Sequence, residues 1–128
     1  MKILIIDDEK WKREYIMESI LEVNQDIEIK ECEYRNDGLR ELKDNNFDLL
    51  FLDMQFPNYL GEMIERKNGL SVLRELERTE NNIPVVICSS GYTDCSEYNI
   101  QSYILFGSNA TKEQIQCIVK DFNSDKKK

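Results

Sequence analysis

At 128 residues and 15.2 kDa, with 41% hydrophobic and 33% charged residues, the chain has the balance of one globular domain and no room for a second of similar size. A formal net charge of -8, from 17 Lys plus Arg against 25 Asp plus Glu, opposes nucleic acid and anionic membrane as partners. The chain has no histidine, which removes Ser-His-Asp and Cys-His nucleophile systems, histidine-based metal hydrolases and the usual zinc ligand sets, and leaves carboxylate chemistry.

In chain order, short continuous apolar runs near residues 2–6, 27–34, 48–52, 84–88 and 102–106 alternate with stretches of helical period at 11–23, 36–45 and 69–81. Runs buried on both faces and joined by crossover helices predict a five-stranded, doubly wound parallel α/β sheet with helices on both faces. The second run interleaves Ile27 and Ile29 with Glu28, Lys30, Glu31 and Glu33, the pattern of an edge strand. Residues 93–101 carry the weakest helical pattern, and Ile115, Ile118, Val119 and Phe122 mark a last amphipathic helix, with Thr111 and Gln114 spaced as a capping box. A domain over 1–122 and a disordered tail over 123–128 follow, the terminal lysines being solvated. No apolar run reaches the roughly 20 residues of a membrane span. The opening Met1-Lys2 leads straight into a strand with neither signal nor transit pattern, so a cytoplasmic location is expected. Cys32, Cys88, Cys95 and Cys117 form no Cys-x-x-Cys pair and read as structural thiols.

The chemistry concentrates at strand ends. The first strand ends in Asp7-Asp8-Glu9, the third in Asp53, and the fourth in Ser89-Ser90-Gly91. In a doubly wound sheet all these tips lie on one edge, where ligands bind. Acids on neighbouring strands repel by about 4 kcal/mol at 4 Å and an effective dielectric near 20, so such a cluster requires a cation or a proton. Hard oxygen ligands favour Mg²⁺. A carboxylate nucleophile beside Mg²⁺ and a hydroxyl donor suits phosphoryl transfer to give an aspartyl phosphate. Taken alone, Asp8 or Glu9 also suits the start of the first helix.

Ile5-Ile6-Asp7-Asp8-Glu9, Leu52-Asp53-Met54-Gln55-Phe56-Pro57, Gly69-Leu70 and Pro84-Val85-Val86-Ile87-Cys88-Ser89-Ser90 resemble receiver domains of bacterial two-component response regulators over nearly the whole chain. The resemblance implies a flavodoxin-like strand order 2-1-3-4-5. It implies Asp53 as phosphoacceptor, Asp8 as a direct Mg²⁺ ligand, Asp7 as a water-mediated one and the Gln55 carbonyl as another. It also implies Ser89 as a phosphoryl hydrogen-bond donor and Tyr103 as an aromatic switch, although Tyr103 also suits a half-buried strand tyrosine. A histidine kinase or phosphotransfer protein would supply the phosphoryl group, and a downstream protein target would read the state. The chain would signal without being an enzyme and without an attached output domain.

Two departures stand out. Where the family has lysine then proline at the end of strand five, this chain has Phe106-Gly107. The family's glycine, normally a few residues beyond the acceptor segment, waits until Gly69, so 58–68 contains an insertion. Its Arg66 or Lys67 is a candidate for the missing cation; a solvated loop is the plainer reading. The missing lysine also keeps open a degenerate receiver acting as a phosphorylation-independent interaction module. A haloacid-dehalogenase-type phosphohydrolase would need Asp where Gln55 stands.

Overall fold

The computed structural model describes residues 1–54, 59–61, 68–107 and 110–126. Five strands, β1 (Lys2–Ile6), β2 (Glu28–Cys32), β3 (Leu49–Leu52), β4 (Val85–Ser89) and β5 (Ser102–Leu105), form one parallel sheet in the order β2-β1-β3-β4-β5. Four helices complete the described residues: α1 (Lys10–Val23), α2 (Arg35–Asp44), α3 (Asn68–Arg78) and α4 (Thr111–Lys126). This is the expected doubly wound arrangement, with the polar-interleaved β2 at the edge.

The period-two alternation of β1 and β3 sends side chains to two cores. Ile3, Ile5, Leu49 and Phe51 meet Ile16 and Ile20 of α1 and Ile115 and Val119 of α4. Leu4, Ile6, Leu50 and Leu52 meet Leu42 of α2 and Val72, Leu73 and Leu76 of α3. Each such side chain, buried completely, contributes about 1.5–3 kcal/mol, and β1 and β3 bury on both faces. The tips of these strands are thus fixed from both sides.

Local chemistry sets the helix limits. No Gly or Pro interrupts α1. It ends at Asn24, whose side chain accepts the Asp26 N–H at 2.9 Å and starts a turn. Gly38 lets α2 close on β1, because a Cβ there would lie 2.5 Å from Ile6 Cδ1.

Two expectations differ from the structure. Residues 93–101 form no helix. Asp94 accepts the Ser96 N–H at 2.9 Å, Cys95 donates to the Thr93 carbonyl and Tyr98 N–H to the Cys95 carbonyl, so short polar side chains take the backbone groups a helix would use. The last helix runs past Phe122 to Lys126, into the stretch expected to be a tail, because no Gly or Pro follows Phe122 to stop it. Residues 127–128 lie outside the described residues.

Candidate functional site

Strand register builds the site. Ile6 pairs with Leu52, and the ladder runs one bond further as the Asp53 N–H donates to the Ile6 carbonyl at 3.0 Å. Asp7 and Asp53 therefore leave adjacent strands at the same level. Carboxylate oxygens of Asp7, Asp8 and Asp53 lie within 4.8 Å of one another, so the three expected acids do converge. Asp7 and Asp53 are buried, and Asp8 is half-buried. Asp7 Oδ1 accepts the Glu9 N–H at 2.9 Å, and Asp53 Oδ1 accepts the Met54 N–H at 2.8 Å. Glu9 occupies the N-cap position of α1, and its side chain makes no capping hydrogen bond.

A cation that sequence reasoning missed sits among these acids. Lys12, 2% exposed, places Nζ 2.9 Å from Asp7 Oδ2 and 3.3 Å from Asp53 Oδ1. A signal was available: Lys12, Ile16 and Ile20 recur every four residues along α1, and all three are buried. A lysine in that register faces the sheet and not water. Phe106, at the position where the family has lysine, lies beside it, its ring centroid 5.3 Å from Lys12 Nζ. Trp11 and Tyr15 pack edge-on to the same ring at 5.5 and 5.2 Å.

Burial raises the Asp7 carboxyl to about 6, with Lys12 opposing and Asp53 adding to the rise. Burial, then the charge of Asp53, also raises Asp8. Burial works against the Lys12 charge, but Asp7 and Asp53 outweigh it and hold its pKa above the ordinary value. Each ion pair near 3 Å gives about 5 kcal/mol of attraction at an effective dielectric near 20, enough to keep the ammonium charged. Three carboxylates and one ammonium leave two negative charges. Asp7 Oδ2 is buried, and its close partner among the described residues is the Lys12 ammonium at 2.9 Å. An all-oxygen donor set with a net double negative charge fits a hard divalent cation such as Mg²⁺.

Neighbouring contacts lock the frame. Arg13 Nη1 donates to the Asp7 carbonyl at 2.9 Å, while its other nitrogens reach Glu31 at 3.0 Å and Glu33 at 3.2 Å, tying the β1 tip to the β2 edge. Gly69 N–H donates to the Met54 carbonyl at 3.1 Å, and a Cβ on Gly69 would stand 2.6 Å from Met54 Cα and 2.7 Å from the Asp53 carbonyl. The chain thus leaves Asp53 and returns to the same point, and only glycine fits there. Gln55, Arg66 and Lys67 lie outside the described residues, as does most of the insertion; its Tyr59 and Leu60 are exposed.

On the other side of the edge, Ser89 ends β4 and is buried, and its carbonyl accepts the Phe106 N–H at 2.8 Å. The Tyr103 hydroxyl donates to the Gly91 carbonyl at 2.7 Å and accepts the Thr93 N–H at 2.8 Å, so it grips the loop that follows Ser89. Burial pushes the Cys32 thiol up to about 11 and Cys88 up to about 12, which keeps both protonated. All four cysteines are free. None of the described helices is long and apolar enough to cross a membrane.

Comparison with known proteins agrees with this fold. The family model for the response regulator receiver domain matches residues 3–126. The sensory transduction protein LytT of Bacillus subtilis is 25% identical over 92 residues, which is 72% of this chain and 34% of LytT. The protein y4jS of Sinorhizobium fredii is 36% identical over 83 residues, 61% of this chain and 19% of that protein. The chain therefore spans only about a fifth to a third of these curated relatives. The response regulatory domain of mrkE from Klebsiella pneumoniae shares the fold with a TM-score of 0.80 at 19% identity, covering 98% of this chain and 97% of that one. The response regulator TrrA of Thermotoga maritima, solved with Mg²⁺ and beryllofluoride, superposes with a TM-score of 0.73 at 25% identity, covering 94% and 97%. The chain belongs to the response regulator receiver domain family.

Proposed function

We propose that the chain receives a phosphoryl group on Asp53 from the phosphohistidine of a histidine kinase or phosphotransfer protein, and passes the signal on through protein contacts. The observation that carries this reading is Asp53 itself, held at the β3 tip with Oδ1 fixed by the Met54 N–H and with two further carboxylates within 4.8 Å. Asp53 Oδ2 has no hydrogen bond among the described residues and is the oxygen free to attack. It forms a bond to phosphorus as the donor's P–N bond breaks; the bonding pair goes to the imidazole nitrogen, which takes up a proton.

Asp8 and Asp53 would hold Mg²⁺ directly and Asp7 through water, with the Gln55 carbonyl as the family's further ligand. When bound, the ion supplies positive charge against the phosphoryl oxygens. Ser89, at the neighbouring strand tip, donates its hydroxyl to the phosphoryl group. Because Tyr103 grips Gly91 and Thr93 just beyond Ser89, a shift of that hydroxyl pulls on the same loop. The altered surface is the one formed by residues 91–101, β5 and α4, where Tyr92 and Leu105 already expose apolar area to a downstream protein. No turnover reaction of its own is needed for this role.

Incubation with Mg²⁺ and acetyl phosphate, followed by intact-mass spectrometry, tests the reading. The wild type gains the mass of one phosphoryl group, and the Asp53→Asn variant gains none. Equal labelling of both rejects it.

A further inference from the structure

We infer that Lys12 of α1 binds a terminal oxygen of the phosphoryl group on Asp53, and so supplies the active-site cation that this chain lacks at the end of β5. The inference rests on Asp53 being the acceptor and adds to it the residue that recognises the transferred group.

Three independent placements support it. Lys12 is the described cation at the cluster, in contact with the acceptor carboxylate itself, 3.3 Å from Oδ1. Its ammonium lies 5.3 Å from the ring centroid of Phe106, beside the strand-five position left without charge. Its stem runs in the buried register of Ile16 and Ile20, with the head directed to the strand tips. An isolated ammonium buried at this depth would be strongly disfavoured, so the sequence retains it only with its acidic partners. The aromatic ring in place of a second lysine fits the same arrangement. Two ammonium groups there would repel, whereas the face of Phe106 attracts one.

In the transfer from acetyl phosphate, the Asp53 Oδ2–P bond forms, the P–O bond to acetate breaks, and acetate leaves with the bonding pair. Negative charge remains on the three terminal phosphoryl oxygens. An ammonium already within reach of the acceptor needs only a small movement of a flexible four-carbon stem to hydrogen-bond one of them. Such a bond, present in transfer and in product, raises the rate of labelling and orders the phosphorylated site.

The test is the labelling rate at saturating Mg²⁺ and subsaturating acetyl phosphate, in the full chain, with folding checked by circular dichroism. Lys12→Met is expected to lower the rate about tenfold to a hundredfold. The double variant Lys12→Met/Phe106→Lys, which returns a lysine to β5, is expected to regain most of it. Lys10→Met, on the exposed side of the same helix, stays at the wild-type rate. A folded Lys12→Met protein labelled as fast as wild type overturns the inference, because neutralising the acids would then be the whole role of Lys12. The double variant keeps an ammonium at the cluster and so carries the test if Lys12→Met alone does not fold. A folded double variant that takes no label also overturns the inference. A wild-type chain that takes no label overturns the acceptor reading as well, which distinguishes the two failures.

Discussion

The two halves of the strand-tip edge are built differently. At the β1 and β3 tips, Asp7, Asp53, Lys12 and Arg13 are all buried, and each is held by several directed contacts. At the β4 and β5 tips the Tyr103 hydroxyl holds the loop after Ser89, and the Phe106 N–H donates to the Ser89 carbonyl at 2.8 Å. Residues 93–101 make irregular turns there, and apolar Phe106 stands where the family places a charge. The contrast teaches that the charged side chains of this edge, three acids and the buried Lys12 of α1, sit on one half, while residues 91–101 beside the other half are held by turns and the Tyr103 hydroxyl. A signalling surface should be drawn from the less stable part of a fold, because a small free-energy input must move it.

Substitutions on each side should break that contrast in order of size. Gly69→Ala should have the largest effect, about 3 kcal/mol or more, because its Cβ meets backbone of Asp53 and Met54 that no rotamer change can move. Urea unfolding measures it, and the labelling rate should fall with it. Arg13→Ala should follow at about 2–3 kcal/mol, since it frees the buried Asp7 carbonyl and two half-exposed glutamates together. Asp7→Asn should act in the opposite direction, stabilising the metal-free protein at pH 7 by about 2–3 kcal/mol. The folded Asp7 carboxyl is raised from 3.8 to about 6, so its cost is absent below about pH 4, grows as pH rises between those values, and stays constant above. The gain from Asp7→Asn should follow that profile in denaturant melts, and a gain that grows toward acid pH contradicts it. Tyr103→Phe should be smallest, about 1 kcal/mol, because its two partners lie in a loop that water can reach. Hydrogen exchange should rise over residues 91–101 and not at the β1 tip.

Much of this architecture can be read from residue patterns, and the exceptions have physical causes. Continuous runs such as Ile3–Ile6 and Leu49–Leu52 mark strands buried on both faces, and the acids directly after them fall at the tips whatever the loops do. The alternation in β2 declares its edge position because charge is tolerated on an edge. Lys12 escaped because a lysine beside Lys10 and Arg13 resembles a solvated helix face; only its four-residue spacing to Ile16 and Ile20 reveals the buried side. Residues 93–101 misled for a different reason. Their apolar members Tyr98 and Ile100 do pack on the α2–α3 core, but from turns set by Asp94 and Cys95.

The central claim is that phosphorus becomes bonded to Asp53, and borohydride trapping tests it most directly. Protein treated with Mg²⁺ and acetyl phosphate is reduced, digested and sequenced by tandem mass spectrometry. An acyl phosphate at Asp53 is converted to homoserine, so the account predicts homoserine at position 53 in treated protein and aspartate there in untreated protein. Homoserine at another acid, or aspartate retained at position 53 in protein that carries the phosphoryl mass, would contradict it.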